Sequence, residues 1–193
     1  MGIQEAKTPL HWNYFLALEE DLARLSRFIE FTTVNFDCHS IEMARIILTS
    51  TSEIDVVAKL LCKKINNDSK ASKIHQYRNE INSHFKEICN FKVRIPHYGL
   101  ELEPWTNWSP NKTPYWWSDY NKIKHKRNDY FEKANLKNAL NSVAGLFVLL
   151  LYLYKNEAEN ALLSPNPSLF RVIDKYYRGT EVGGYEPRII YRL

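Results

Sequence analysis

Glycine and proline are scarce in this chain, 6 and 8 among 193 residues. Collagen-like, linker-rich and low-complexity architectures need those residues at high density and are excluded. Cysteine is scarcer still. Cys38, Cys62 and Cys89 are odd in number and too widely spaced for paired metal ligands, which argues against a disulfide framework. A reducing, cytoplasmic setting is expected. No apolar run reaches the ~20 residues that span a bilayer. The longest, Val143 to Tyr154, follows Asn138, Asn141 and Ser142 and precedes Lys155 and Glu157. A buried central helix is expected there, and no membrane association. Met1 to Lys7 carries charge without an apolar core, so no signal peptide is predicted. Residue 6 is not the Ser or Thr that myristoylation needs. The sequons at Asn107 and Asn111 are chance matches in a cytoplasmic protein.

A strong excess of one charge sign is also missing. The net charge of +4 implies no whole-surface field for nucleic acid, so a basic site has to be local. There is no glycine loop to cradle phosphate, no serine in a nucleophile elbow, and no carboxylate pair with a His at metal spacing. Neither a metal nor a cofactor is expected.

What is present is an ordinary soluble composition, 45% hydrophobic and 25% charged, in a length that suits one domain over residues 1–193. Leu18, Leu22, Leu25 and Ile29 recur at helical spacing in a first helix, about Trp12 to Phe31, with Glu19, Glu20, Arg24 and Arg27 on its outer face. A second helix begins after the caps Asp37 or Ser40 and runs to about Lys64, with Ile46, Ile47, Ile54, Val57, Leu60 and Leu61 inward. A third covers about Lys70 to Ile88. Alternation at Lys92–Ile95 and Gly99–Glu103 predicts a short hairpin, followed by an aromatic loop, together an insertion over about 90–113. Thr113-Pro114 opens a fourth helix to about Arg127. A fifth spans roughly Asn135 to Glu157. A short helix near Ser168 to Tyr177 precedes Ile189-Ile190-Tyr191, which is expected to pair with the hairpin. The fold class is all-α, an antiparallel helical bundle with a small β-hairpin insertion.

The chemistry-bearing segment is Tyr120 to Asp129. On a helix, Trp116, Tyr120 and Ile123 share the core stripe, Trp117, Asn121, His125 and Asn128 an adjoining one, and Tyr120, Lys124 and Arg127 the other shoulder. His125 reads as a proton-handling side chain, with Asp129 one turn on to hold its tautomer. Lys122, Lys124, Arg127 and Asn121 read as phosphate or RNA contacts. His125 and Arg127 are two apart and point roughly 200° from each other on a continuous helix. A shared pocket needs the helix to end there, or a second subunit. A solvated basic helix end explains the same residues without function. Arg78 and His84 on the third helix, with Asn79 beside the arginine, form a second pair, again readable as a solvated face. Asp55 and Lys59 are spaced to pair. Glu53 is expected in a structural ion pair with the fourth helix, or as a site carboxylate. Trp105, Trp108, Tyr115, Trp116 and Trp117 are expected as a small core joining hairpin to bundle, with base stacking as the alternative.

The run Trp116-Trp117-x-x-Tyr120-Asn121-x-x-Lys124-His125-x-Arg127, followed by Ala134-Asn135-Leu136-x-Asn138-Ala139-Leu140, resembles bacterial members of the HEPN superfamily (higher eukaryotes and prokaryotes nucleotide-binding). The resemblance covers about Tyr14 to Lys155. It implies a helical bundle that homodimerises. In active members an Arg and a following His, with four to six residues between them, activate the ribose 2′-hydroxyl and stabilise the phosphorane. That makes them metal-independent endoribonucleases of toxin–antitoxin or phage-defence systems. Others bind nucleotides or a cognate partner protein without cleavage. In this chain Arg78 to His84 matches the literal spacing, whereas His125 and Arg127 are closer and in reverse order.

Overall fold

The computed structural model describes residues 8–108, 112–173, 180–182 and 188–193. The axis of the fold is α5 (Leu136–Leu153), in which every residue except Lys137 is buried. With a mean hydropathy of 1.6 it is long and apolar enough to cross a membrane, yet 94% of it lies inside the fold. A helix apolar all round is a core helix when other helices cover it. Here α1 (Leu10–Leu25), α2 (Ile41–Ile65) and α4 (Tyr115–Lys126) do so. Asn135 starts it, its side chain accepting the amide of Asn138 at 3.0 Å.

Ser40 caps α2 (Ile41–Ile65), its Oγ accepting the Met43 amide at 3.1 Å. The two longest helices run parallel, which corrects the antiparallel expectation for the central pair. Their starts are tied by Ser40 N–H to the Ala134 carbonyl and Leu136 N–H to the Cys38 carbonyl. Midway, Ser50 Oγ donates to Ser142 Oγ at 2.8 Å. At the far end Lys64 Nζ donates to the carbonyl of Leu153. The physical reason is the long connection between them, which holds α3, the hairpin and α4 and returns the chain to the starting end. The antiparallel rule holds for the neighbours. α1 (Leu10–Leu25) runs against α2, with His11 at Glu53 and Asp21 at Arg45. α4 (Tyr115–Lys126) runs against α5, with Asp119 at Asn138 and Trp116 over Gly145.

Several ends differ from expectation. α1 stops at Leu25, where the amides of Arg27 and Phe28 turn back three residues and leave Phe28 87% exposed. α3 (Ile74–His84) is shorter than expected because Lys86–Asn90 tightens into a 3₁₀ turn. α5 breaks at Tyr154, and a separate α6 (Lys155–Glu159) follows. Pro114, not Thr113, occupies the cap position of α4. Leu60, expected inward, is among the exposed apolar side chains.

Glu19, expected on the outer face of α1, is only 2% exposed. Its Oε1 accepts the amides of Leu169 and Phe170, and its Oε2 that of Ser168, each at 2.8 Å. The Ser168 hydroxyl adds a fourth bond at 3.2 Å. Anchored in this way, the chain continues as strand β3 (Arg171–Ile173) rather than the helix expected over Ser168 to Tyr177. Residues 174–177 lie outside the described residues.

β1 (Lys92–Ile95) and β2 (Leu100–Leu102) form the expected hairpin, with Val93 opposite Leu102 and Ile95 opposite Leu100. Gly99 closes its turn at φ 63°, a left-handed conformation that glycine adopts without strain. β3 takes the other side of β1. The expected pairing of Ile189 and Ile190 with the hairpin is not observed. Instead β5 (Arg188–Ile190) pairs with β4 (Thr180–Val182), and the Tyr191 amide donates to the carbonyl of Ala158 in α6. Val93, Ile95, Leu100, Leu102 and Val172 join the helices in one hydrophobic core.

Candidate nucleic-acid interface

Trp116, Tyr120 and Ile123 are buried, as the core stripe predicts, and Trp117, expected on the adjoining stripe, is buried with them. Trp116 Nε1 donates to the Pro104 carbonyl at 2.7 Å, and Trp105 Nε1 to the Gly145 carbonyl at 3.2 Å. Trp105, Trp108 and Trp116 are completely buried. They weld the insertion to α5 and are closed to base stacking.

The C-terminal end of α4 carries four consecutive exposed side chains, Lys124, His125, Lys126 and Arg127, and exposed Asn128 and Asp129 follow. Lys124 Nζ lies 5.6 Å from the Tyr120 ring centroid, an exposed cation–π contact. Among the described residues none of the four has a carboxylate partner. The acidic residue within the helix, Asp119, is engaged elsewhere. Its Oδ1 accepts from Lys122 Nζ at 2.8 Å and its Oδ2 from Asn138 Nδ2 at 3.1 Å. Asn138 is buried and also donates to the Lys133 carbonyl at 2.9 Å. Lys122 is therefore held, with its pKa raised first by the Asp119 hydrogen bond, and lies over the Tyr130 ring at 5.7 Å. It is a structural cation more than a free one. Asn121 is exposed beside the cluster.

His125 does not flank the core as expected; it is exposed and has no hydrogen-bond partner among the described residues. Asp129 does not hold its ring. α4 ends at Lys126 and the Asp129 amide folds back to the Lys126 carbonyl at 3.0 Å, so the carboxylate is not one regular turn beyond the histidine. Arg127 keeps helical geometry, φ −57° and ψ −34°. His125 and Arg127 of one chain therefore diverge by roughly 200°.

On α3, Arg78 Nη2 reaches the neighbouring Asn79 Oδ1 at 3.4 Å, and His84 sets its ring edge-on to Phe85. No hydrogen bond joins Arg78 to His84 among the described residues. Glu53 meets α1 rather than α4: His11 Nδ1 lies 2.5 Å from its Oε1, with both side chains largely shielded. Asp55 pairs with Lys59 as expected and also accepts the Tyr77 hydroxyl at 2.7 Å. No three His, Cys, Asp or Glu side chains converge as metal ligands among the described residues. The Asp119–Asn138 link was missed because its partners lie 19 residues apart on different helices. No helical-wheel spacing connects them. No family model, no curated protein and no solved structure matches this chain.

Proposed function

We propose that this chain is a HEPN-like, cytoplasmic, nucleic-acid-associated protein that binds RNA phosphates through the exposed end of α4. The observation that carries this reading is the run Lys124 to Arg127. Four cationic or protonatable side chains stand in solvent without an acidic partner among the described residues, while the nearby Asp119 is consumed by Lys122 and Asn138. A helix C-terminus favours cations by about 0.5 kcal/mol each. That explains their tolerance but leaves their charge uncompensated and available to phosphate.

In the same reading the protein is a homodimer and a metal-independent endoribonuclease of toxin or phage-defence type. His125 and Arg127 diverge on one helix, so the catalytic pair joins His125 of one copy to Arg127 of the other. Exposed Leu10 and Tyr14 on α1, with Val56 and Leu60 on α2, support self-association. The test is cleavage of single-stranded RNA with EDTA present, by the chain as purified and by His125→Ala. Cleavage that His125→Ala abolishes, with an unchanged melting temperature, is the expected result. Absence of cleavage by the unaltered dimer would remove the catalytic part.

One observation favours a second reading, a non-catalytic module that binds a nucleotide or a cognate protein. Among the described residues no side chain orients the His125 ring, and a general base usually has one. In that case RNA or a partner copurifies and no cleavage follows.

A further inference from the structure

The outer face of the three-stranded sheet carries a second cationic cluster, independent of α4. Residues directly opposite on antiparallel strands share a face. One such row runs Glu101, Arg94, Arg171 across β2, β1 and β3. Two arginines directly opposite repel unless negative charge lies between them. Glu101 supplies only part of it. Its Oε2 meets Arg94 Nε and Nη2 at 3.3 Å each, long for a charge-assisted bond. Its Oε1 is held more closely by Lys92, at 2.6 Å.

Arg171 has no carboxylate partner among the described residues. Its Nη1 donates to the carbonyls of Pro167 at 2.6 Å and Phe170 at 2.9 Å. That fixes the guanidinium and leaves Nε and Nη2 unused among the described residues. Glu19 stiffens the arrangement, because it clamps the three amides immediately before Arg171. Beside the row lies an open cleft of about 510 Å³, lined by Arg94, Arg171 and Glu101 with Pro96 and Gly99 of the hairpin turn; Leu100 and Val172 border it, but alternation turns their side chains to the buried core face. Small-molecule sites commonly have this size.

We propose that this cleft binds a phosphate monoester, its phosphate between the guanidinium groups of Arg94 and Arg171 and its organic part against the exposed Pro96 of the hairpin turn. A dianion matches two planar forks, each able to donate two parallel hydrogen bonds. A single carboxylate leaves one fork unmet. Glu101 is the internal competitor. When phosphate takes Arg94, Glu101 retains Lys92.

The test is calorimetric titration of the full chain with phenyl phosphate and, for comparison, benzoate. The expected result is saturable one-to-one binding of phenyl phosphate, with benzoate weaker by about tenfold or more. Arg94→Gln removes only surface contacts, so it leaves the melting temperature near that of the unaltered chain and weakens phenyl phosphate by about tenfold or more. Glu101→Gln frees Arg94 and tightens binding several-fold. The proposal is overturned by absence of saturable binding at millimolar phenyl phosphate, by equal affinity of Arg94→Gln, or by weaker binding in Glu101→Gln. It is also overturned if Lys124→Ala/Lys126→Ala loses the binding, because the phosphate then sits on α4. RNA binding by α4 succeeds or fails independently of these titrations.

Discussion

Glu19 is a buried carboxylate satisfied by three backbone amides and a hydroxyl from a segment 149 to 151 residues away. Removing the acceptor strands buried donors, so Glu19→Ala is expected to cost about 3 kcal/mol, measured by urea denaturation. Glu19 and Glu20 are adjacent on one helix, and the partner that distinguishes them lies about 150 residues away. A second residue-level expectation concerns Cys62. Burial, and then Glu80, push its thiol up to about 12, whereas an unfolded thiol titrates near ~8.5. The folded chain therefore holds the proton more firmly. This contribution to stability is fully present below the unfolded value and is lost as pH rises from there toward about 12. Burial pushes the Tyr152 phenol up to about 12 as well, in the same direction. Denaturation midpoints should fall through the alkaline range, and Cys62→Ala should flatten that fall. Exposed Cys38 should react with a thiol reagent at neutral pH while buried Cys62 and Cys89 do not.

Between elements, the decisive contacts are those around α5. A Cβ on Gly145 would stand 3.1 Å from the Trp116 ring and 3.4 Å from that of Trp105. Both rings are held by indole hydrogen bonds and cannot move aside cheaply. Gly145→Val is therefore expected to destabilise the protein by about 2–3 kcal/mol, read as a lower thermal midpoint. Asp119→Ala should cost about 1 kcal/mol by unlinking α4 from Asn138, while leaving RNA affinity unchanged or higher because Lys122 is released. Periodicity was enough to place α1, α2, α4 and α5, and alternation enough to place the hairpin. The parallel course of α2 and α5 was not legible, because a long intervening segment permits either direction. Strand β3 was not legible either. Its three residues pair only once Glu19 has anchored the segment before them.

At the scale of the whole molecule, the candidate interface was half legible. The core stripe of α4 and the basic run could be read from spacing alone. The exposure of His125, the absence of Asp129 from its ring and the diversion of Lys122 depend on where α4 ends and on a neighbour in α5, which spacing does not contain. The Arg94–Arg171 row was invisible for the same reason, since its partners are 77 positions apart and meet only through strand register. The central claim is that Lys124, Lys126 and Arg127 bind RNA phosphates. It is tested most directly by the affinity for a single-stranded RNA as a function of salt, for the unaltered chain and for Lys124→Ala/Lys126→Ala/Arg127→Ala. The expected result is weaker binding in the variant and a log–log salt slope shallower by about 0.7 for each phosphate contact removed, about 2 in all. Equal affinity and equal slope in the two proteins would contradict it.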